Sequence, residues 1–540
     1  MTKRPDVTVV IAVYNTMPYL TECLNSLVGQ SIGLDRLEIV AVDDGSTDTS
    51  GQELDRFAER YPGTVKVMHQ ANSGGPAAPS NRALDAATGR FVYFIGSDDY
   101  LGEEALERMV AYADEHGSDV VVGKMVGTNG RYVHQKLYAE SDPDISLYRS
   151  ALPFTLANTK LFRRALVEEH KLRFPEDLPV GSDQPFTIEA CVRARKISVL
   201  ADYTYYYAVK RGDASNITYR ADHLARLRCT ARIMEHAAGL IPAGPDRDAV
   251  FKRHFEWELS KLLQKDFPRL DTDTRRKVCE GIAALLDAYF TDGLRDRTGV
   301  VRRVRFGLAW RGAVDELSRA LSDEAEHGTP PFLLEDGRAF AAYPGFRDSA
   351  VGLPDHFYEV LGEGVAGRLA KHTRLESAEW EQEGEDLALA LTVRIGVVGD
   401  TASAVVVPAQ GAMPASADKP GARRLPGDVR RPDAVGSFVR EAAPDGRGTL
   451  LTARVPVRPG TVKRGLRVYV DVAGSTYEIP VRADGTAMPL ARRWGRTEPH
   501  RASVNVNSKG RLVLTTAPLW EPETGAFSRL RSKMSRPKRK

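Results

Sequence analysis

At 540 residues the chain is longer than one ordinary hydrophobic core supports, so two to four domains are expected. Hydrophobic content of 42% and charged content of 27% belong to globular protein rather than to a fibrous or disordered chain. A formal net charge of +3 argues against a dedicated nucleic-acid binder.

The first section, to about residue 220, alternates short β-branched runs with amphipathic ones. Strands are expected at Val7–Ala12, Glu38–Val42, Val65–Met68, Phe91–Ile95 and Asp119–Met125, and helices at Tyr19–Gln30, Thr49–Arg60 and Glu103–His116. That alternation predicts an α/β domain with a mostly parallel sheet, right-handed crossovers and helices on both faces. Asp48 is placed to cap the second helix. Polar clusters follow four strands: Val13-Tyr14-Asn15, Asp43-Asp44-Gly45-Ser46, Asn72-Ser73-Gly74-Gly75-Pro76 leading to Asn81-Arg82, and Gly96-Ser97-Asp98-Asp99. Carboxylates and glycines at a common strand edge are how an open α/β sheet builds a nucleotide crevice.

From 221 to 326 the pattern turns helical. Phe251, Phe255, Leu259, Leu262 and Leu263 mark one apolar face, Pro268 is expected to end that helix near Phe267, and a second run spans Arg275 to Phe290. This stretch, taken as 221–330, reads as a helical linker domain packed on the first. Beyond it the texture is short alternating strands: Leu387–Val393, Thr449–Val457, Leu466–Val472, Thr476–Val481, and a pair flanking the turn Asn507-Ser508-Lys509-Gly510. A β-sandwich of immunoglobulin-like kind, in one or two modules, is expected over 331–520. Pro408 to Pro432 is a loop that divides the modules or inserts into one.

Residues 521–540 read as a basic disordered tail. Arg529, Arg531, Lys533, Arg536, Lys538, Arg539 and Lys540 stand there without an acid among them, which is either a solvated terminus or an attraction to anionic lipid or polyanion. Cys23, Cys191, Cys229 and Cys279 lack CxxC spacing, which suits a reducing compartment without zinc or disulfides. No apolar run approaches the roughly 20 residues of a membrane span, and Met1-Thr2-Lys3-Arg4-Pro5 is not a cleavable signal. A cytoplasmic protein is expected, peripheral at most to the inner face of the membrane.

The ordered set of strand-end motifs resembles family-2 glycosyltransferases of the GT-A fold, which join a sugar from a nucleotide donor to an acceptor with inversion at the anomeric carbon. The resemblance covers 5–220. Adding the helical and β regions, the architecture is similar to wall teichoic acid glycosyltransferases, which place N-acetylglucosamine on polyol-phosphate chains and trimerise through their C-terminal β modules. A capsule or exopolysaccharide transferase is the alternative within the class. A non-catalytic carbohydrate-binding scaffold is the alternative outside it.

The resemblance implies a UDP-sugar donor site of Ala12, Tyr14, Asp44, Asn72, Ser97, Asp98, Arg211 and Ser215. Tyr14 would stack on uracil, Asp44 accept its ring N–H and Asn72 read the other edge. Asp98, with Asp99 second, would hold Mn²⁺ or Mg²⁺ on the diphosphate; hard cations take carboxylate oxygens. Read alone, both acidic clusters are also turn signatures. Four positions depart from the family pattern: Ala12 for a Pro two residues before the Tyr, Gly96 for the first Asp of Asp-x-Asp, Ser80 for an Arg near the diphosphate, and Ser182 for the Glu of a Glu-Asp pair. Arg211 would take phosphate oxygens in place of the Arg missing at Ser80, or is a solvated loop residue. Asp183 retains the Asp of the pair and would be the general base, or the cap of a helix whose first turn tolerates Pro185. The implied partners are the UDP-sugar, an anionic cell-surface polymer as acceptor, and further copies of the chain.

Overall fold

The computed structural model describes residues 4–212, 222–336, 338–361, 364–399, 405–408, 423–425, 438–472, 474–483, 485–496 and 499–519. They divide into two compact units, Met1–Thr298 and Gly299–Lys540. Ser215, the 521–540 tail and nearly all of the Pro408–Pro432 stretch lie outside the described residues.

The first unit is built on a sheet of order β3-β2-β1-β4-β8-β6-β9. Its strands are β1 (Val7–Val13), β2 (Leu37–Asp43), β3 (Val65–His69), β4 (Phe91–Gly96), β6 (Val120–Gly123), β8 (Leu161–Arg163) and β9 (Ile197–Leu200). All pairings are parallel except those of β8, which runs against both β4 and β6. Helices α1 (Tyr19–Val28), α2 (Ser50–Arg60), α3 (Ala77–Asp85) and α4 (Ala105–His116) fill the crossovers. β1 and β2 are near-continuous apolar runs because both sheet faces are covered; Val7, Val9, Ile11, Ile39 and Ala41 have no exposed surface. Each such Val or Ile side chain contributes on the order of 1.5–3 kcal/mol by its burial.

The chain order reverses at β1: β2 pairs on one side and β4 on the other, with Ala12 in register with Val42 and Gly96. Ligands of open α/β sheets bind outside the strand ends at such a switch point. A smaller sheet stands beside it, order β5-β10-β7, from β5 (Tyr100–Leu101), β7 (Met125–Thr128) and β10 (Tyr206–Val209). The expected single strand Asp119–Met125 is thus two, β6 and β7, which separate at Lys124 and join different sheets. Asp48 does not cap α2 in the expected way. Thr49 holds the cap position, while Asp48 accepts from Ser50 N at 2.9 Å and Met17 N at 3.1 Å, an Asx turn that ties α2 to the end of β1.

After α5 (Arg164–Glu169) and α6 (Asp183–Arg193), the first unit closes with α7 (His223–Leu240), α8 (Pro245–Arg253), α9 (Ser260–Leu262), α10 (Thr272–Tyr289) and α11 (Asp292–Arg297). Asp222 and Asp271 cap α7 and α10 through Ala225 N and Thr274 N. The expected apolar face of Phe251, Phe255, Leu259, Leu262 and Leu263 is buried. Its helix ends at Leu262 rather than near Phe267, and Pro268 instead sits inside a 3₁₀ turn, Phe267–Arg269.

The second unit holds α12 (Val300–Trp310), α13 (Val314–His327) and antiparallel sheets. One sheet joins Arg374–Glu383, Asp386–Ile395, Thr449–Val457 and Phe438–Ala442; another runs Arg423–Arg424, Ser475–Pro480, Val462–Val472, Leu512–Pro518, His500–Val506, Arg492–Trp494. The turn at Gly510 has φ +71°, which glycine adopts without strain. The helical stretch expected over 221–330 is therefore shared by both units.

Candidate active site

One end of the candidate site is assembled from the turns after β1, β2 and β3. Tyr14 follows β1 and is 42% exposed, so one ring face is open to a base. Asn15, at φ +48°, turns its side chain across the gap, its Oδ1 accepting from Thr47 N at 2.7 Å and Asp48 N at 3.2 Å. Asp43 holds its own turn, as its sequence context suggests. It accepts from Ser46 N and from His69 Nδ1, both at 3.0 Å, and His69 also meets Asp55 at 3.0 Å. Despite burial, Ser46 and His69 hold the Asp43 pKa below the usual range, while Asp43 and Asp55 raise that of His69.

Asp44 is 3% exposed and receives the Gly-rich loop: Gln70 Nε2 at 2.6 Å, Ser73 N at 3.1 Å and Ser73 Oγ at 2.9 Å. Asn72 does not touch that carboxylate; its Nδ2 donates to the Asp44 carbonyl at 3.1 Å and its Oδ1 accepts from Gly74 N at 2.9 Å. Gly45 allows this approach. Its φ is +73°, and a Cβ there would lie 2.7 Å from Asn72 N.

The acidic motif lies where β4 stops. Asp99 is 5% exposed, and both its oxygens are engaged: Oδ1 accepts from Val209 N at 2.7 Å and Arg131 Nη1 at 3.2 Å, Oδ2 from Tyr206 Oη at 2.5 Å. Burial and the neighbouring Asp98 charge push its pKa up to about 6. Tyr206 in turn accepts from Gly96 N at 3.1 Å. The departure at Gly96 has a steric reason. A Cβ there would lie 2.9 Å from Asp99 Oδ2 and 3.1 Å from Asp98 Oδ1. Asp98 Oδ2 accepts from Arg211 Nε at 2.7 Å, and Ser97 Oγ meets Thr16 Oγ1 at 2.9 Å. Arg211 is therefore brought to the acidic motif, whereas Arg82 is not: its Nη1 donates to the His69 carbonyl at 2.9 Å.

Among the described residues no group of three His, Cys, Asp or Glu side chains converges. The donor chemistry that is present fits a magnesium- or manganese-type cation, which keeps few protein carboxylates and completes its shell with water and substrate phosphates. Asp98 is the carboxylate suited to that role, and Asp99 stands behind it.

Asp183 is the first residue of α6. Ser182, not Asp183, occupies the cap position, with no side-chain cap bond, so the capping alternative is not what the carboxyl does. Burial pushes its pKa up, Arg253 and Lys160 pull it down, and Glu258 adds to the rise. Lys160 is 1% exposed; its Nζ donates to the Thr155 and Ala157 carbonyls, and burial lowers its pKa to about 8. Sequence reasoning passed over Lys160, Arg131 and Arg253, and gave Ser73 and Tyr206 no individual role. A lone Lys ahead of an apolar Leu161-Phe162 pair was the one available signal for Lys160; Arg131 and Arg253 carried none.

Residues 8–173 match the glycosyl transferase family 2 model, and 222–321 match the glycosyl transferase TarS linker domain. The chain is 43% identical over 214 residues to the poly(ribitol-phosphate) beta-glucosyltransferase of Bacillus spizizenii, covering 39% of this chain and 34% of that one. It is 43% identical over 203 residues to the poly(ribitol-phosphate) beta-N-acetylglucosaminyltransferase TarS of Staphylococcus aureus, covering 38% and 35%. These alignments span about a third of the length of the relatives. The crystal structure of S. aureus TarS 1–349 in complex with UDP-GlcNAc superposes with a TM-score of 0.57 at 29% identity, over 66% of this chain and 99% of that one. The chain carries a family-2 glycosyl transferase domain followed by a TarS-type linker domain.

Proposed function

We propose that this protein is an inverting glycosyltransferase that moves a sugar, N-acetylglucosamine in the first instance, from a UDP-sugar to a hydroxyl of an anionic polyol-phosphate polymer of the cell surface. One observation carries the reading: an exposed Tyr14 ring, the Asp44 carboxylate and Asp98 gather at the β1/β4 switch point of a family-2 domain. The sugar and acceptor follow from relatives named for poly(ribitol-phosphate) and from the relative crystallised with UDP-GlcNAc.

In this reading Tyr14 stacks on uracil, a contact worth about 1–3 kcal/mol for a base on an aromatic ring. Asp44 accepts the uracil ring N–H, and Asn72, tied to the Asp44 carbonyl and Gly74 N, reads the other edge of the base. Ala12 and Ser97 flank the donor without charge. Arg211, and Ser215 beyond it, take the diphosphate as a planar cation and a hydroxyl would. A Mn²⁺ or Mg²⁺ held by Asp98, with Asp99 as second carboxylate, would neutralise charge on the leaving diphosphate.

Asp183 performs the proton step. The acceptor hydroxyl oxygen attacks the anomeric carbon as the bond to the UDP oxygen breaks, and the hydroxyl proton passes to a carboxylate oxygen of Asp183. A single displacement inverts the anomeric centre and needs no covalent nucleophile. Burial raises the Asp183 pKa, and the Arg253 and Lys160 charges act against that rise.

The division into a catalytic domain over 1–220, a linker over 221–330, a β region over 331–520 and a basic tail over 521–540 belongs to the same proposal. So do assembly into a trimer, a cytoplasmic setting where UDP-sugars are made, and contact of the tail with anionic membrane. No helix among the described residues is long and apolar enough to cross a bilayer. The test is UDP release from UDP-GlcNAc and UDP-glucose with and without added poly(ribitol-phosphate). Release that requires the polymer supports the reading; no polymer-dependent release from either donor contradicts it.

A further inference from the structure

Resting on the reading of Asp183 as the base, we infer that Arg253 of the linker is a positioning residue for it, brought to the acceptor side of the site by a π-helical turn. α8 ends at Arg253 and continues as a π-helix, His254–Leu259, before α9 resumes. Such insertions are rare and gather at functional sites, because the wide turn gives up good hydrogen-bond geometry. Here the wide turn brings together residues five apart. Arg253 Nη2 lies 3.0 Å from Glu258 Oε1, and Ser260 Oγ donates to the Phe255 carbonyl at 2.8 Å. In a regular α-helix residues five apart point roughly 140° away from each other, and the Arg253–Glu258 pair would open.

The other end of the guanidinium grips the helix that begins with Asp183. Arg253 Nη1 donates to Gln184 Oε1 at 2.8 Å, in a place where Arg253 is 9% and Gln184 8% exposed. Gly181, at φ +77°, makes room; a Cβ there would lie 3.3 Å from Gln184 Nε2. Arg253 Nε is buried and makes no hydrogen bond to the described residues, so satisfying donors does not explain why this cation is buried here.

The charged groups that face Asp183 are Lys160, from the segment ahead of β8, and Arg253 and Glu258 from the linker. His254, beside Arg253, is buried and kept neutral, its pKa lowered to about 4. On α6 itself Cys191 is a buried thiol with its pKa pushed up to about 11. Of the cations, Arg253 pulls hardest against burial. The linker helix thus supplies both the strut that holds the first turn of α6 and a charge that favours the carboxylate form of Asp183.

The test is the pH–rate profile of the full chain for R253Q and E258Q, with UDP affinity and thermal stability measured alongside. Loss of the cation should move the acid limb of kcat to higher pH by about 1 unit. Loss of the Glu258 charge should move it to lower pH, and UDP Kd should stay within twofold in both. A limb that stays in place in folded R253Q, or that fails to move down in E258Q, overturns the role. If R253Q does not fold, E258Q alone decides. D183N separates this role from the reading beneath it. Turnover by D183N removes the base assignment itself, whereas an inactive D183N with unmoved limbs removes only the role of Arg253.

Discussion

Arg211 Nε donates to Asp98 Oδ2 at 2.7 Å, in a pair of side chains 14% and 13% exposed. The cation that would grip the donor's phosphates thus sits on the carboxylate that would hold the metal. Donor and cation arriving together can exchange these partners: Arg211 to phosphate, Asp98 to metal. Arg211→Ala should therefore weaken UDP binding by roughly tenfold or more, the loss of a charge-assisted contact. It should leave Mn²⁺ binding without nucleotide unchanged or tighter. Titrating each ligand separately by calorimetry checks both signs, and parallel weakening of the two would contradict the exchange.

Gly96→Ala tests the packing of the acidic motif. The added methyl meets the Asp99 and Asp98 carboxylates at 2.9 and 3.1 Å, and overpacking a filled site costs about 1–3 kcal/mol. Asp99 is also bonded to Tyr206 and Val209, so the strand that leads to Arg211 should shift with it. Lower Tm together with weaker UDP binding is expected; an unchanged Kd would mean that the motif accommodates the methyl.

Gly45→Ala acts at the base end. The position combines φ +73° with a 2.7 Å approach to Asn72 N, so a side chain is strained twice, at about 1–3 kcal/mol for the backbone alone. Thermal melts with and without UDP should show destabilisation and a smaller ligand-induced rise in Tm. Tyr14→Ala, by contrast, should cost little Tm because the residue is 42% exposed. Its UDP Kd should rise about tenfold or more from lost stacking.

His69 gives a pH signature. Its pKa is raised by Asp43 and Asp55, so its folded form binds a proton more readily than its unfolded form. The stabilisation is then complete below the unfolded value near 6.5 and fades as pH rises through the folded pKa. His69→Gln should lower Tm more at pH 6 than at pH 8.5. Equal losses at both would show that the imidazole acts by packing alone.

Much of the first unit was legible because its parallel sheet is buried on both faces. Val7–Val13 and Leu37–Asp43 announce themselves as unbroken apolar runs. β8 was not legible: Leu161–Arg163 is three residues long and enters antiparallel, so neither length nor period marked it. The π turn was hidden for a related reason. Phe251, Phe255 and Leu259 keep the spacing of an ordinary helix, and only the tertiary pull of Glu258 and Gln184 on Arg253 reveals the extra residue. Within the site, Asp98 and Asp99 are identical as letters. Their difference arises from β10, whose Tyr206 and Val209 reach Asp99 from more than a hundred residues away. That Ser182 rather than Asp183 holds the cap position is likewise visible only from where α6 begins.

The most direct test of the account is Asp183→Asn in the full chain, read for sugar transfer to poly(ribitol-phosphate) and for UDP binding with Mn²⁺ on the same preparation. The substitution keeps the shape of the side chain and removes its ability to take a proton. The account predicts that transfer falls by at least about a hundredfold, the scale of a general base, while the UDP Kd stays within twofold. Transfer that persists near the wild-type rate would contradict it.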